Sequence, residues 1–406
     1  MNVDTMRRID YWAGIPLCFL VSAVQRVVRW LRPRPEQRPK NVLFVELSEM
    51  GSAIIVDPAM RKLQRAVDAN LHFVIFKSNA VSLRLLGTVP EENVFTLRAD
   101  GLFSLAVDTL RFFLWTRRRR IDTVIDLELF SRFTALLTGM SGATNRIGFH
   151  AFHNEGLYRG SMLTHRVAYN PHIHIAKNFV ALVDAALMSH DELPFSKRAV
   201  TDDEIVLARA EVNEEAKQAM RARVREDFAD YDPARHRLVL INPNASDLLP
   251  QRRWMPDNFV MLMRKVLATW PDVLILITGA PGEREQAAGL KQRVADERCI
   301  NFAGRVKFAE LPALYSVATL MVTNDSGPGH FSAVTDLHTF VIFGPETPRL
   351  YGSLGNSTPI FAGLACSPCV SASNHRKTPC VDNVCLKVIT PEQVFDTIRP
   401  ALDTGT

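Results

Sequence analysis

The run Thr323-Asn324-Asp325-Ser326-Gly327-Pro328-Gly329-His330 combines residue types that bind anions in proteins. It follows the apolar residues 320–322, which predict the end of a buried strand, and it precedes residues 331–334, which predict a helix. Such a corner presents backbone N–H groups and the positive end of a helix dipole, which suit a phosphate. Asp325 would lie at the carboxyl end of its strand, where open α/β sheets place ligands. The corner therefore predicts a phosphate site, with a capped helix start that binds nothing as the alternative.

The elements around this corner predict a parallel α/β domain. Apolar runs at 238–242, 273–278 and 340–343 alternate with helical segments, as in a sheet covered on both faces. An arginine at a helix start can hold a diphosphate, and a carboxylate after a strand can accept ribose hydrogen bonds. The alternative for the arginine is an ordinary surface charge, and the alternative for the carboxylate is a helix cap. The polar residues in these positions are Asn244, Arg252 and Glu283.

The first half of the chain follows the same plan. Residues 41–47 predict a buried strand, 48–52 a turn and 53–66 a helix, and further strands are predicted at 71–76 and 124–127. The turn lacks G-x-G-x-x-G, so a dinucleotide fingerprint is absent from the sequence.

The composition indicates a globular protein with an unusual tail. The 406 residues suffice for two domains, and 47% hydrophobic with 22% charged residues is ordinary for a protein with a core. The net charge of +5 resides in residues 1–40, so the rest of the chain is neutral overall. This distribution argues against nucleic acid as a partner and indicates a basic segment that meets a surface.

Residues 12–24 form an apolar run flanked by arginines and aromatic rings. The run is shorter than the ~20 residues of a spanning helix. Basic and aromatic flanks are typical of a helix that lies in an anionic membrane surface, here joined to the body by a proline-rich linker. A helix packed on the protein itself and a cleaved signal peptide are the alternatives.

Histidines and cysteines are concentrated in two segments. Five histidines between 150 and 174 lack the spacing of a metal site, and loops of this composition suit substrate binding. No disulfide framework spans the chain, which favours a reducing compartment. Four late cysteines could hold zinc or form a reduced or paired structural cluster. They are Cys366, Cys369, Cys380 and Cys385.

Several motifs occur together in the second half: Trp254-x-Pro256, Gly279-Ala280-Pro281, the run 324–330 and the late cysteines. Together they resemble glycosyltransferase family 9, which contains the ADP-heptose:lipopolysaccharide heptosyltransferases. The resemblance covers about residues 41–400 and is strongest over 238–345. It implies an α/β fold of two Rossmann-like domains facing a cleft, the GT-B arrangement, preceded here by an N-terminal amphipathic helix.

The resemblance also implies how the chain divides. The predicted parts are a membrane-surface helix and linker at 1–40, an N-terminal acceptor-binding domain at 41–200, a connecting helix at 201–237, a C-terminal nucleotide-sugar-binding domain at 238–388, and a C-terminal helix that crosses back to the first domain at 389–406.

Site residues are implied position by position. The basic residue before the tryptophan is a lysine in family members and Arg252 here, which keeps the charge and changes the geometry. It would stabilise the leaving nucleoside diphosphate as a catalytic residue. The predicted donor-binding residues are Asn244, Glu283, Asp325, Ser326, Gly327 and His330.

On the acceptor side this sequence departs from the family pattern. The family often has Met-Gly-Asp in the first loop and uses that Asp as the base, whereas this chain has Met50-Gly51-Ser52. We therefore predict Glu49 as the base, with Asp57 as the runner-up and a lost activity as a further alternative. Gly51 and Ser52 would form the acceptor-side loop.

The implied function is metal-independent, cofactor-free inverting transfer of a sugar, with heptose favoured. The donor would be a nucleoside diphosphate sugar, ADP-heptose foremost, and the acceptor a lipopolysaccharide-core or related glycolipid. The enzyme would be cytoplasmic and peripheral on the inner face of the cytoplasmic membrane, with the anionic membrane surface as a partner. A non-catalytic nucleotide-sugar-binding module and another Rossmann-type sugar-nucleotide enzyme, such as an epimerase, are the alternatives.

Overall fold

The computed structural model describes residues 3–31, 38–153, 156–189, 191–247, 249–371, 374 and 376–403. Contacts divide the chain into two compact units. Unit 1 contains Met1–Val206 and Ala372–Arg376, and unit 2 contains Leu207–Ser371 and Lys377–Thr406. The predicted fold class of two Rossmann-like domains with an N-terminal helix is confirmed by the sheets and helices of these units.

Unit 1 has a six-stranded parallel sheet in the order β3-β2-β1-β4-β5-β6. This is the Rossmann order, whose topological switch point lies between β1 and β4. Strand β1 is apolar and almost wholly buried, as expected for a central parallel strand. The strands are β1 Asn41–Val45, β2 Asn70–Phe76, β3 Val94–Leu97, β4 Thr123–Asp126, β5 Asn145–Phe149 and β6 His165–Val167.

Unit 2 repeats the same order, β12-β11-β10-β7-β8-β9, and its switch point lies between β10 and β7. All of its strand pairs are parallel. The strands are β7 Arg237–Asn242, β8 Val273–Ile277, β9 Cys299–Asn301, β10 Leu320–Asn324, β11 His338–Phe343 and β12 Ser357–Phe361.

Helices cover both sheets. In unit 1 they are α1 Val3–Trp12, α2 Gly14–Leu31, α3 Met50–Ile55, α4 Asp57–Val67, α5 Leu102–Arg118, α6 Arg132–Met140 and α7 Ile175–Leu187. In unit 2 they are α8 Glu214–Asp227, α9 Pro256–Thr269, α10 Arg284–Val294, α11 Leu311–Val317, α12 Gly327–Phe331, α13 Pro348–Tyr351, α14 Val384–Lys387 and α15 Pro391–Asp403.

Helix α2 packs on unit 1 where the crossover from β5 to β6 has no helix of its own in its described residues. Cys18 is buried against Ala135 and Met162, and the Ser22 hydroxyl accepts the Ser161 N–H at 2.8 Å. Gly160 allows this approach, because its φ is +76° and a Cβ there would lie 2.9 Å from the Cys18 carbonyl oxygen. One face of the N-terminal helix is therefore part of unit 1.

Two helices outside the sheets' crossovers group with unit 2 by their contacts. In helix α8, Arg223 pairs with Glu310 of unit 2 at 2.9 Å. The apolar face of helix α15 joins the core of the same unit. Along the main part of the chain, the division between the two units lies at 206/207.

Candidate active site

The corner after β10 in unit 2 is built from two buried carboxylates and one arginine. Asp325 directly follows β10, and Glu346 lies in the turn after the neighbouring strand β11. The Arg252 guanidinium lies 3.4 Å from the Glu346 carboxylate and 4.0 Å from that of Asp325. Because the carboxyl ends of parallel strands meet at one edge of the sheet, residues far apart in sequence form this cluster.

Burial raises the pKa of both carboxyl groups of this pair. For Glu346 the pKa is raised well above its ordinary value, and the charge of Asp325 raises it further against the opposing effect of Arg252. Burial also raises the pKa of Asp325, and the Arg252 charge opposes this. Two neighbouring carboxylates disfavour each other's ionisation, and the Arg252 cation favours it, so the arginine is the group that offsets negative charge at this corner.

The helix at this corner begins earlier than the sequence predicts. Helix α12 starts at Gly327 rather than at residue 331, has five residues and continues as a 3-10 turn over Ser332–Val334. So short a helix has a small dipole, and the groups it offers an anion are its backbone N–H groups more than its macrodipole. Gly327 is required sterically, since a Cβ would lie 2.6 Å from the Phe331 ring. Ser326 is buried at the N-cap position, and His330 lies half-buried inside the helix.

Asn324, whose role the sequence left open, links the segments that follow β10 and β7, the two strands at the switch point of this sheet. Its side chain donates to the Pro243 carbonyl at 2.8 Å and accepts the Trp254 N–H at 3.0 Å. The Trp254 indole in turn donates to the Ile389 carbonyl at 2.9 Å. The tryptophan of the motif is thus a buried anchor that fixes the segment containing Arg252, and the predicted residue Asn244 lies in the turn that Asn324 holds.

Glu283 lies in a 3-10 turn after β8 and acts as a cap. One of its carboxylate oxygens accepts the Ala280 N–H at 2.6 Å. Burial raises the pKa of Glu283. A Cβ on Gly279 would lie 2.8 Å from this carboxylate and 2.9 Å from the Asn244 amide, so the glycine lets the two predicted donor-binding side chains approach each other.

In unit 1, the predicted base Glu49 stands at the N-terminal end of α3. Its carboxylate accepts the Ser52 hydroxyl at 3.2 Å and forms an ion pair with Arg376. The Glu49 side chain is 20% exposed. Arg376, in the short segment that groups with unit 1, also lies over the Phe130 ring at 5.4 Å. Burial lowers the pKa of Arg376 to about 10, while the charge of Glu46 opposes this effect. Gly51 belongs to the first turn of α3, beside Ser52.

A second buried acid pair lies behind Glu49 at the switch point of the first sheet. Glu46 follows β1, and Glu128 follows β4 after two residues. Burial raises the pKa of Glu46 well above its usual range, and the Glu128 charge raises it further. Burial also raises the pKa of Glu128, although the Leu47 N–H bond at 2.9 Å opposes this. These effects favour the protonated form of Glu46, whose side chain holds the loop by accepting the N–H groups of Ser48 and Glu49 at 3.3 Å.

The runner-up base, Asp57, is occupied by structural partners. Its carboxylate pairs with Arg61 at 2.8 Å and accepts the Thr88 hydroxyl. The Asp57 side chain is 1% exposed, so an acceptor hydroxyl has no access to it in this state. Glu49 is the better placed of the two candidates.

Sequence reasoning missed four residues of these clusters: Glu46, Glu128, Glu346 and Arg376. Glu128 and Glu346 each follow a predicted buried strand within three residues, and this position was a usable signal. Glu46 lay inside the strand predicted over 41–47, and the observed strand ends one residue before it. Arg376 gave no such signal, because its partner is more than 300 positions away.

The late cysteines form no disulfide bond with one another in the structure. Cys385 is buried, which raises the pKa of its thiol, and Cys366 is exposed. Among the described residues, which leave out His375, no three histidine, cysteine or acidic side chains are placed to hold a metal ion. The zinc alternative therefore gains no support from the described geometry.

Comparison with known proteins places this site in a family. A family model described as glycosyltransferase family 9 (heptosyltransferase) matches residues 110–378, about two thirds of the chain. Lipooligosaccharide heptosyltransferase 2 of Campylobacter jejuni serotype O:6 is 27% identical over 168 residues, covering 40% of this chain and 51% of that protein. Lipopolysaccharide heptosyltransferase 1 of Pseudomonas aeruginosa is 27% identical over 151 residues, covering 36% and 39%. The chain thus spans about half the length of the curated relatives it matches, or less.

Solved structures agree on the fold. The structure of E. coli ADP-heptose lps heptosyltransferase II aligns with a TM-score of 0.67 at 17% identity, covering 90% of this chain and 99% of that one. E. coli heptosyltransferase WaaC with ADP aligns with a TM-score of 0.59 at 17% identity, covering 89% and 99%. With the family match across both units, these findings show that the chain belongs to glycosyltransferase family 9.

Proposed function

We propose that the protein transfers a sugar, heptose foremost, from a nucleoside diphosphate sugar to a glycolipid of the lipopolysaccharide-core type. The observation that carries the proposal is the family match over residues 110–378, which includes parts of both units. The named relatives are heptosyltransferases, and one similar structure contains ADP, which supports an ADP-sugar as the donor.

Unit 2 would bind the donor at the corner after β10. Arg252 is the cation for the diphosphate, and burial, which raises the pKa of Asp325 and Glu346, disfavours two negative charges beside it. A fully ionised pair would place a second negative charge beside an incoming diphosphate, so a proton on the pair favours donor binding. Backbone N–H groups at Ser326 and Gly327 would add fixed dipoles without a metal ion. Asn244 and Glu283, close together after β7 and β8, would meet the nucleoside.

Unit 1 would supply the base. Glu49 would take the proton of the acceptor hydroxyl while that oxygen forms a bond to the anomeric carbon of the donor. The bond from the anomeric carbon to the phosphate oxygen breaks in the same step, and its electron pair leaves with the nucleoside diphosphate. Attack opposite to the leaving group inverts the anomeric configuration. Ser52, which donates to Glu49, fixes the orientation of the base.

Replacing the base tests this assignment directly. Glu49→Gln keeps the shape of the side chain and removes the proton acceptor, so kcat should fall by about 10²–10⁴-fold. Binding of ADP-heptose should be unchanged, measured as thermal stabilisation, which amounts to about 2.7 kcal/mol at 100 times Kd. Glu92→Gln, on an exposed glutamate of the same unit, is the matched control and should be neutral.

Undiminished turnover by Glu49→Gln would remove Glu49 as the base. Absence of stabilisation by any nucleoside diphosphate sugar would remove the donor assignment, whatever happens at Glu49.

We further propose that unit 1 docks on the anionic face of the cytoplasmic membrane through α2. The helical stretch Thr5–Leu31 is longer than the apolar run read from the sequence, and by length and composition it could cross a membrane. Its packing on unit 1 argues instead for a helix that lies along the surface. Asp10 accepts the Arg132 N–H at 2.8 Å at the start of α6, and Gly14, Cys18 and Ser22 are buried. The opposite face exposes large apolar side chains, among them Phe19, Leu20, Val24 and Val27.

Helix α5 extends the same apolar surface. Gln25 of α2 donates to the Gly139 carbonyl, and Arg117 of α5 donates to the Met140 carbonyl at 3.0 Å, so both helices flank the end of α6. Leu110 and Leu114 of α5 are 67% and 60% exposed. Apolar faces of this kind, rimmed by arginines, are typical of a membrane-docking surface.

Co-sedimentation with vesicles that contain phosphatidylglycerol tests the docking surface. Phe19→Glu with Val27→Glu should reduce binding by at least about tenfold, because two charges enter the apolar layer. Leu110→Glu with Leu114→Glu should reduce it by about threefold to tenfold. Met261→Glu, on an exposed methionine of unit 2, is the matched control. Equal binding by all variants would contradict the docking surface.

A further inference from the structure

The cysteine-rich segment, residues 362–390 between β12 and α15, contacts both parts of the donor corner of unit 2. Its first part contacts the turn after β11 that contains Glu346. The Ser367 hydroxyl donates to the Gly344 carbonyl at 2.5 Å. The Cys369 N–H donates at 2.9 Å to the carbonyl of the residue that follows Gly344. The backbone directly before Glu346 is therefore held from the cysteine-rich segment.

The last part of the same segment contacts the backbone beside Arg252. The Asn383 side chain donates to the Gln251 carbonyl at 2.9 Å. Gln251 directly precedes Arg252, and two residues after Arg252 the Trp254 N–H donates to the Asn324 side chain at 3.0 Å. Arg252 therefore lies between two points at which an asparagine side chain holds the backbone.

Hydrogen bonds join the two parts of the segment to each other. The Cys369 thiol donates to the Thr378 hydroxyl at 3.4 Å, and that hydroxyl also accepts the Cys380 N–H at 3.2 Å. The Cys380 sulfur in turn accepts the Asn383 N–H at 3.3 Å. Through these bonds the cysteine-rich segment connects the two parts of the donor corner, which are about 90 positions apart in the sequence.

The conformation of Asn383 restricts which residue can make the bond to Gln251. Asn383 stands at the start of α14 with φ of +57°, in the left-handed region. Glycine, asparagine and aspartate are the residues that adopt this region most readily. Of these three, asparagine is the one whose side chain has N–H donors. The residue type thus fits both the turn and the hydrogen bond.

We propose that Asn383 is a positioning residue of the donor site, which holds the backbone of Arg252 so that its guanidinium stays beside the two buried carboxyl groups. The Arg252 guanidinium lies 3.4 Å from the Glu346 carboxylate and 4.0 Å from that of Asp325, so a small displacement of its backbone changes both distances. The inference rests on the proposed function for the identity of the ligand, a nucleoside diphosphate. The hydrogen bonds themselves belong to unit 2 alone.

Binding of ADP to the full-length protein, measured by calorimetry, tests the role of Asn383. Asn383→Asp keeps the size and tolerates the same φ, but it replaces the donor with an oxygen that repels the Gln251 carbonyl. The Kd for ADP should rise about threefold to tenfold, the loss expected for one hydrogen bond. Asn383→Gly keeps the conformation without the side chain and should raise Kd by a similar factor. The control, Asn356→Asp, removes a donor to the Asp336 carbonyl just before β12 and should leave Kd unchanged.

A second background separates positioning of Arg252 from a general structural role. In the Arg252→Met protein, Asn383→Asp should change the Kd for ADP by less than about twofold, because the group that Asn383 positions is missing. Equal factors in the two backgrounds would show that Asn383 affects binding by another route, and the inference would be overturned.

Phenylglyoxal, which modifies guanidinium groups, reports on Arg252 without any ligand. The modification rate of Arg252 is followed by peptide mass spectrometry relative to that of the exposed Arg65. The Arg252 side chain is 13% exposed, and Asn383→Asp should raise its relative rate at least about threefold, since the segment opens more often. An unchanged rate would contradict the positioning. If the original protein does not bind ADP, the donor assignment fails, and the modification rate still decides whether Asn383 holds Arg252.

Discussion

Both units contain a pair of buried acids at the carboxyl edge of a parallel sheet, but the pairs follow different strands and meet their arginines differently. In unit 1, Glu46 and Glu128 follow β1 and β4, the strands that flank the switch point, and Arg376 pairs with a third carboxylate, that of Glu49. In unit 2, Asp325 and Glu346 follow β10 and the next strand outward, β11, and Arg252 contacts the pair itself. Unit 1 therefore presents a partly exposed carboxylate, and unit 2 presents a cation beside two carboxyl groups whose pKa burial raises.

This difference indicates how the same fold can present a negatively charged group in one unit and a positively charged group in the other. A glycosyl transfer needs a proton acceptor for the nucleophile and positive charge for the leaving diphosphate. In both units burial favours a protonated acid over a second buried negative charge. What distinguishes the units is the group in front of the pair: Glu49 in one and Arg252 in the other.

Arg252 should give the largest effect in unit 2. Arg252→Met removes the cation expected to meet the diphosphate, so kcat/KM should fall by about 10²–10³-fold. The affinity for ADP should fall by at least about tenfold, as measured by calorimetry. Arg252→Lys keeps the charge and loses the planar fork, and we expect an intermediate effect. Normal ADP binding by Arg252→Met would show that the arginine serves only the buried pair.

Arg376 should give the next largest effect, in unit 1. It is a positioning residue that holds Glu49 and favours its ionised form. Arg376→Gln should lower kcat by about 10–100-fold with an unchanged KM for the donor. The acidic limb of the kcat/KM profile should move to higher pH, because the base then needs a higher pH to ionise.

A merely structural role for Arg376 would lower Tm and leave that limb in place. Arg376→Lys restores the charge and should return the limb towards its original position. Arg65→Gln, an exposed arginine of the same unit, is the matched control and should change neither quantity.

The fold could be predicted from the sequence because strands and helices are marked by patterns of neighbouring residues. Buried strands such as Asn41–Val45 and Val273–Ile277 are apolar runs, and their alternation with helices implies the parallel sheets that the structure shows. Asp325 could be chosen for the same reason, since it directly follows such a strand within a recognisable motif. The roles assigned to these residues stay predictions until variants are measured.

The remaining parts of the clusters depend on contacts that local sequence does not encode. Arg376 reaches Glu49 only through the folding of a late loop, and it belongs to no periodic pattern or motif in the sequence. The docking of α15 on unit 2 likewise depends on which apolar face is available, here that formed around Phe395 and Trp270, whose rings are 5.3 Å apart. The resemblance predicted a helix at this place along the chain, and only the folded structure shows which apolar side chains its face contacts.

The acid pairs themselves should give the smallest effect, seen in stability rather than in turnover. The pKa of Glu46 and that of Glu346 are raised in the folded protein. Below the pKa of about 4.3 that a glutamate has in the unfolded chain, the group is protonated in both the folded and the unfolded state, so its ionisation costs the folded state no stability. As pH rises, the unfolded chain ionises first, so the folded state loses stability until the folded pKa is passed.

Glutamine cannot ionise, so Glu46→Gln and Glu346→Gln should each become more stable than the original protein as pH rises from 5 to 8. We expect the gain in the free energy of unfolding to grow steadily from pH 5 to pH 8, because the folded pKa of each group is raised above its unfolded value. Calorimetry should assign the gain of Glu46→Gln to the transition of unit 1 and that of Glu346→Gln to unit 2. A gain that does not depend on pH would mean that burial does not hold a proton on these groups, and the two units would then share only the presence of a buried acid pair.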